Sequence, residues 1–200
     1  VEIRRRRPKA FSFLPGQFIR FFMKGYWRDY TIVSGAEAET IDFCVALVEE
    51  GRFSTAIDRA RVGDRFRLSG PHGHFIFQQS ERLPVFVATG TGVAPFVAFC
   101  LGGATDALLL HGVADPNQLI YRHVLEPGLR TYVPCITGSF DARQSPGGTF
   151  AGRVTDYMKR MLVPDAYDFY LCGRRGMIRD ATALIDERFG GSRLFIENFD

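Results

Sequence analysis

The feature that most constrains this chain is a change of pattern near Ser80. Up to Phe77, short alternating runs ("QFIRFF", "RDYTIV", "TIDFCVALV", "DRFRLSG") are broken by "LPGQ", "SGAEAE", "RVGD" and "GPHG". Alternation with a period of two belongs to strands with one buried face, and Pro and Gly supply the turns between them. After "QQSERLP" the runs become short and almost wholly apolar: "PVFVAT", "ALLLHGV", "TYVPCIT", "YDFYLCG" and "RLFIEN". Strands that are apolar on both faces and alternate with helices belong to a parallel sheet covered on both sides. The sequence therefore predicts β followed by α/β. Residues 1–80 form an antiparallel β-barrel, interrupted by one short helix over 53–61. Residues 81–200 form a doubly wound, five-stranded parallel sheet with helices over 94–101, 117–125, 153–161 and 175–189.

Composition narrows the class. Of 200 residues, 46% are hydrophobic and 24% charged, with a net charge of +3 that is spread along the chain except at Arg4 to Arg7. This mild, dispersed charge argues against a nucleic-acid binder. No apolar run approaches the roughly 20 residues of a membrane helix, so a soluble protein without membrane insertion is expected. Arg4 to Arg7 is either a solvated edge strand or a docking patch for an acidic partner. The cysteines at 44, 100, 135 and 172 show neither a CxxC pair nor cluster spacing, so no metal site is expected. Their apolar contexts favour reduced thiols, and no signal peptide opens the sequence; both point to a cytoplasmic chain.

In a doubly wound sheet, ligands bind beyond the carboxyl ends of the strands, where strand order reverses. "ATGTGVAPF" emerges there, with Thr89, Gly90, Thr91 and Gly92 leading into a helix. The glycines allow close approach to the backbone, free helix-start amides favour an anion, and Pro95 sits where no amide hydrogen is needed. A tight turn with no ligand is the alternative. "YLCGRRGM" brings Cys172 and Gly173 to the same edge, and Cys172 serves either packing or chemistry. In "RDYT", Arg28 and Tyr30 share one face of a strand, which suits a ligand carrying both phosphate and a flat ring; a solvated Arg–Tyr pair is the plainer reading. "EEGRFST" places Gly51 and Ser54 at the start of the short helix, as a second anion site or an ordinary N-cap.

Taken together, "PGQF", "RDYT", "GRFS", "GPHG", "GTGVAPF", "YLCGRRGM" and "IENF" resemble, in order and over nearly the whole chain, the ferredoxin–NADP reductase superfamily. The resemblance implies a flavin-binding barrel followed by a nicotinamide-binding α/β domain. It implies that Arg28 holds the flavin phosphate, Tyr30 stacks on the isoalloxazine and Thr31 bonds near flavin N5, although strict alternation turns Thr31 away from the face of Tyr30. Val45 matches a position along the flavin ring, and Gly51, Arg52, Phe53 and Ser54 match the pyrophosphate turn of an FAD enzyme. The loop around Thr91 matches the dinucleotide entrance, with Cys172, Gly173 and Met177 beside the nicotinamide. Glu197 and Phe199 match a carboxylate and an aromatic near the end of related chains, where Phe199 either covers the flavin or packs the last strand.

The implied activity is NAD(P)H oxidation. Hydride passes to bound FAD, with Thr31, Cys172 and Glu197 as the catalytic set, and single electrons pass on to a partner. The expected acceptor is a ferredoxin, an oxygenase, a cytochrome or a domain beyond this chain. A reductase that holds flavin loosely as a substrate, and a non-catalytic flavin-binding subunit, are the rival readings. Where NADP-preferring relatives carry Ser-Arg, this chain has Ser139 and Phe140, and "GVADP" supplies Ala114 and Asp115 in place of a cation. NADH is therefore favoured over NADPH, with Arg143 and Arg153 as remaining sources of positive charge.

Overall fold

The computed structural model describes residues 2–23, 25–47, 52–139 and 147–198, with the side chains of Arg52 and Ser54 outside that description. The first half is built from antiparallel strands. β1 (Glu2–Arg6) pairs with β4 (Thr40–Cys44), while β2 (Phe18–Met23) lies between β3 (Tyr26–Thr31) and β5 (Arg67–His72). A bridge from Ile32 to Phe43 links the two small sheets. Between them Ile19, Phe21, Ile32, Phe43, Val45, Phe53 and Ile57 form a core. Helix α1 (Arg52–Asp58) closes it with Phe53 and Ile57. Arg4 to Arg7 lies largely on edge strand β1. There Arg4 donates from Nε and Nη2 to the carboxylate of Asp42 at 2.8–3.1 Å, while Arg5 and Arg6 are exposed.

The second half is a parallel sheet ordered β11-β10-β6-β7-β8-β9. Its strands are β6 (Pro84–Thr89), β7 (Leu108–Val113), β8 (Thr131–Ile136), β9 (Phe150–Ala151), β10 (Asp168–Gly173) and β11 (Arg193–Asn198). Five were expected; β9 adds a sixth, two residues long, whose brevity hides it from any periodicity argument. Side chains alternate between two cores. Phe86, Ala88, Tyr170 and Cys172 face helices α2 (Ala94–Leu101) and α3 (Arg122–Gly128). Val85, Val87, Phe169 and Leu171 face α4 (Val154–Met161) and α5 (Arg175–Arg188).

The helix expected over 117–125 is instead a 3₁₀ turn at Pro116–Gln118 followed by α3. Tyr121 breaks it by adopting φ 57°, a left-handed conformation that is uncommon for a bulky residue. Its side chain reaches Cys44 of β4, and both pack against the same core, so the kink coincides with a contact between the two halves.

The halves share a core. Phe75, in the segment after β5, stacks on Phe99 of α2 with ring centroids 5.6 Å apart, and Phe77 packs on Phe86, Phe99 and Tyr170. The amide of Gln78 donates to Tyr170 Oη at 2.9 Å. Each such aromatic pair adds about 0.5–1.5 kcal/mol beyond its buried area. The barrel is thereby held against the α2 face of the sheet.

Candidate functional site

Chain order reverses between β6 and β10, which are neighbours in register with Cys172 beside Ala88. After β6 the chain makes a 3₁₀ turn, Gly90–Val93, and enters α2 with Pro95 in its first turn. After β10 it turns at Gly173 into α5. The two turns are in backbone contact. A Cβ on Gly92 would lie 2.5 Å from the carbonyl oxygen of Cys172, and one on Gly173, at φ +137°, would overlap the hydroxyl oxygen of Thr89. That hydroxyl accepts from the amide of Arg174 at 3.0 Å. Gly92 and Gly173 are thus required by the packing of one loop on the other. Close ligand approach, the expected reason, applies to Gly90: it has φ +54°, and nothing lies within 4 Å of where its Cβ would point.

Cys172 is fully buried, and burial first, then the Glu197 carboxylate, pushes its thiol well above the ordinary range. The sulfur is therefore a neutral packing element behind the loops. Glu197 is its register partner on β11. Burial first, and then the Asp29 carboxylate of β3, raise the Glu197 pKa. Met177 packs instead with the core on the far face of the sheet, away from Cys172, because Cys172 points to the α2 face of β10 whereas α5 covers the opposite face.

On the barrel side, Arg28 is exposed and donates to the carbonyl of Trp27 at 2.8 Å, which leaves most of its guanidinium open to an anion. Tyr30 stacks on Phe53 at 5.1 Å and meets Phe21 edge-on at 5.6 Å; burial raises its pKa to about 12, so it stays a neutral ring. Thr31 is 4% exposed and lies on the opposite side of β3 by alternation, as Asp29 does. Val45 is 1% exposed within the barrel core. Thr31, Val45 and Cys172 are thus buried, whereas Arg28, Tyr30, Thr89, Gly90 and Thr91 are at least partly exposed. Gly51, Phe140, Arg143 and Phe199 lie outside the described residues, as do the side chains of Arg52 and Ser54. Asp115 spends one oxygen on the amide of Asn117 at 2.7 Å, so it caps the 3₁₀ turn, and Arg153 is exposed at the start of α4.

One polar group was not singled out in the sequence. His111, in the middle of β7, is completely buried. Its Nδ1 lies 3.0 Å from Tyr132 Oη and its Nε2 lies 3.2 Å from the carbonyl of Gly90. The signal was available, since a histidine inside the otherwise apolar run "ALLLHGV" must be hydrogen-bonded if the run is buried.

An exposed cation near an aromatic ring on β3, and a glycine-lined strand edge on the sheet with open space at Gly90, suit a group that has phosphate and flat rings. Among the described residues there is no cluster suited to a metal, and no helix long and apolar enough to cross a membrane. This is the arrangement of a two-domain oxidoreductase that binds a flavin and a nicotinamide nucleotide. Residues 4–77 match the model of the oxidoreductase FAD-binding domain and residues 86–183 that of the oxidoreductase NAD-binding domain. The chain belongs to the ferredoxin–NADP reductase superfamily.

Similar proteins include methane monooxygenase component C of Methylosinus trichosporium, 37% identical over 132 residues, covering 60% of this chain and 39% of that protein. Another is the toluate 1,2-dioxygenase electron transfer component of Pseudomonas putida, 29% identical over 191 residues, covering 87% and 54%. The chain thus spans about half the length, or less, of these relatives. In fold it matches a ferredoxin NADP+ reductase from Neisseria gonorrhoeae with bound FAD and NADP, with a TM-score of 0.83 and 24% identity, covering 98% of this chain and 91% of that one.

Proposed function

We propose that this chain is the reductase part of an electron-transfer system, oxidising NADH in preference to NADPH and passing electrons singly to a partner protein in the cytoplasm. The observation that carries this reading is the contact of the Gly92 and Gly173 turns at the strand-order reversal. When bound, the nicotinamide supplies a hydride, and FAD accepts it and releases electrons one at a time. Arg28 holds phosphate and Tyr30 presents its free ring face. Residues 51–54 hold the second phosphate, and Thr89 to Gly92 orient the dinucleotide at the sheet edge. Cys172 fills the space beneath, Thr31 and Val45 back the flavin side, Glu197 brings a half-buried carboxyl beside Cys172, and Met177 and Phe199 complete the surroundings.

The domain boundary is placed near Ser80. The partner is a ferredoxin, an oxygenase or a cytochrome, docking at the basic edge that Arg5 and Arg6 leave exposed. Support for an oxygenase system comes from relatives described as components of a methane monooxygenase and a toluate dioxygenase. The preference for NADH rests on Asp115 standing where a cation would favour a 2'-phosphate. Purified protein loaded with FAD should show a yellow spectrum bleached anaerobically by NADH at lower concentration than by NADPH. A protein that neither retains FAD nor oxidises either nucleotide overturns the proposal.

A further inference from the structure

The buried pair His111 and Tyr132 has no part in the roles above, yet it reaches the loop at the centre of the site. A carbonyl only accepts, so His111 Nε2, 3.2 Å from the Gly90 oxygen, carries the hydrogen. A neutral imidazole has one N–H, so Nδ1 is the acceptor and takes the hydroxyl hydrogen of Tyr132 at 3.0 Å. The hydroxyl thus fixes the tautomer, and the tautomer fixes the carbonyl of Gly90. The backbone that carries the ring is fixed in the sheet, with His111 in register between Ala88 of β6 and Pro134 of β8, and the side chain is completely buried.

The consequence lies on the other side of the peptide. In a planar trans peptide the C=O and the following N–H point in opposite directions. Drawing the Gly90 carbonyl down towards β7 therefore turns the Thr91 N–H outward, at the start of a 3₁₀ turn where an amide has no acceptor within the turn. Thr91 is itself partly exposed, and the adjoining Gly90 borders open space.

We infer that His111 is a positioning residue that, with its tautomer set by Tyr132, orients the Gly90–Thr91 peptide so that the Thr91 amide faces a phosphate or amide oxygen of the bound dinucleotide. The inference rests on the proposed nicotinamide-binding role of this loop. Glycine at 90 and histidine at 111 then form one device: the first allows the left-handed turn, and the second selects which way its peptide faces.

The test uses the FAD-loaded chain with NAD+ as the probe, so that no turnover is involved. His111→Phe combined with Tyr132→Phe keeps both rings and removes both side-chain partners together, which avoids an orphaned polar side chain. Calorimetry should show the Kd for NAD+ raised about 3- to 10-fold, the effect of one hydrogen bond, with FAD affinity unchanged. In 15N spectra the Thr91 amide should shift on adding NAD+ to the wild type and lose most of that shift in the double variant. The His111 ring should show the Nε2–H tautomer. If the double variant does not fold, Tyr132→Phe carries the same measurements with the tautomer released. A folded variant that binds NAD+ like the wild type, or an Nδ1–H tautomer in the wild type, overturns the inference alone. A wild type that binds no NAD+ overturns the nicotinamide-binding reading beneath it as well.

Discussion

The amide of Arg174 donates to the hydroxyl of Thr89 at 3.0 Å, joining the turn after β10 to the end of β6. The glycine between them, Gly173, sits at φ +137°, and its missing side chain leaves room for that same hydroxyl. The site edge is thus one welded corner, and a methyl group there must push the turns apart. Gly173→Ala should lose about 2–4 kcal/mol of stability, from backbone strain plus overlap. The measurement is urea unfolding; a loss under about 0.5 kcal/mol would mean that the corner yields freely.

Arg28 is exposed, and among the described residues its guanidinium donates to the neighbouring carbonyl of Trp27. Its guanidinium should act on ligand phosphate and contribute little to folding. Arg28→Ala should raise the FAD dissociation constant about 10- to 100-fold, leave riboflavin affinity within about twofold, and shift Tm little. Equal weakening of both ligands would move Arg28 from the phosphate to the ring.

Cys172 should be chemically silent in the folded protein. The thiol is fully buried and held protonated well above its ordinary range. Iodoacetamide at pH 8 should leave it unmodified until denaturant is added, as read by mass spectrometry. Cys172→Ala should cost about 1–2 kcal/mol as a small core truncation and slow hydride transfer only through loosened packing. Rapid alkylation of the native protein would overturn this account.

Acid should weaken the fold through His111. Burial first lowers its pKa to about 4, against roughly 6.5 in the unfolded chain. A depressed folded value means the unfolded chain binds the proton first, so the stability is present above about pH 6.5 and is lost as pH falls towards about 4. Substituting His111 and Tyr132 together by Phe removes this titration. The stability of wild type relative to that variant should therefore fall across this window, measured by urea unfolding at several pH values.

Asp168 opens β10 and is 1% exposed, and Arg193 of β11 donates to both of its oxygens, at 2.8 Å from Nε. Those bonds, more than any other influence, hold its pKa below the ordinary value. The contribution is present above about pH 3.9, the unfolded value, and disappears as pH falls through the folded one. With Arg193 partly solvated, Asp168→Asn should cost about 1–3 kcal/mol at pH 7 and markedly less at pH 3.

How much of this was legible depends on whether the signal was local. The strands "PVFVAT" and "RLFIEN" match β6 and β11 residue for residue: β6 is a run buried on both faces, and β11 is a short β-rich run set off by the glycines at 190 and 191. The split helix before α3 was hidden because the contact that goes with it, Tyr121 reaching Cys44, lies 77 residues away in sequence. At the site, spacing located the loops but misread one glycine. Gly90 and Gly92 look alike in "GTG", and only the approach of β10 separates the one that opens to a ligand from the one that packs on Cys172. His111 was overlooked because its partners come from two other strands' worth of chain, Tyr132 and Gly90.

The stack of Phe75 on Phe99 carries a consequence for ancestry and engineering. A recombination joint at Ser80 would transplant a sheet without the rings that seal it, and leave Phe75 and Phe77 bare on the donor barrel. Chimeras between relatives should succeed only when the segment through Gln78 travels with the sheet it covers. The two halves should therefore be exchanged as a matched set, although their cofactors are chemically separate.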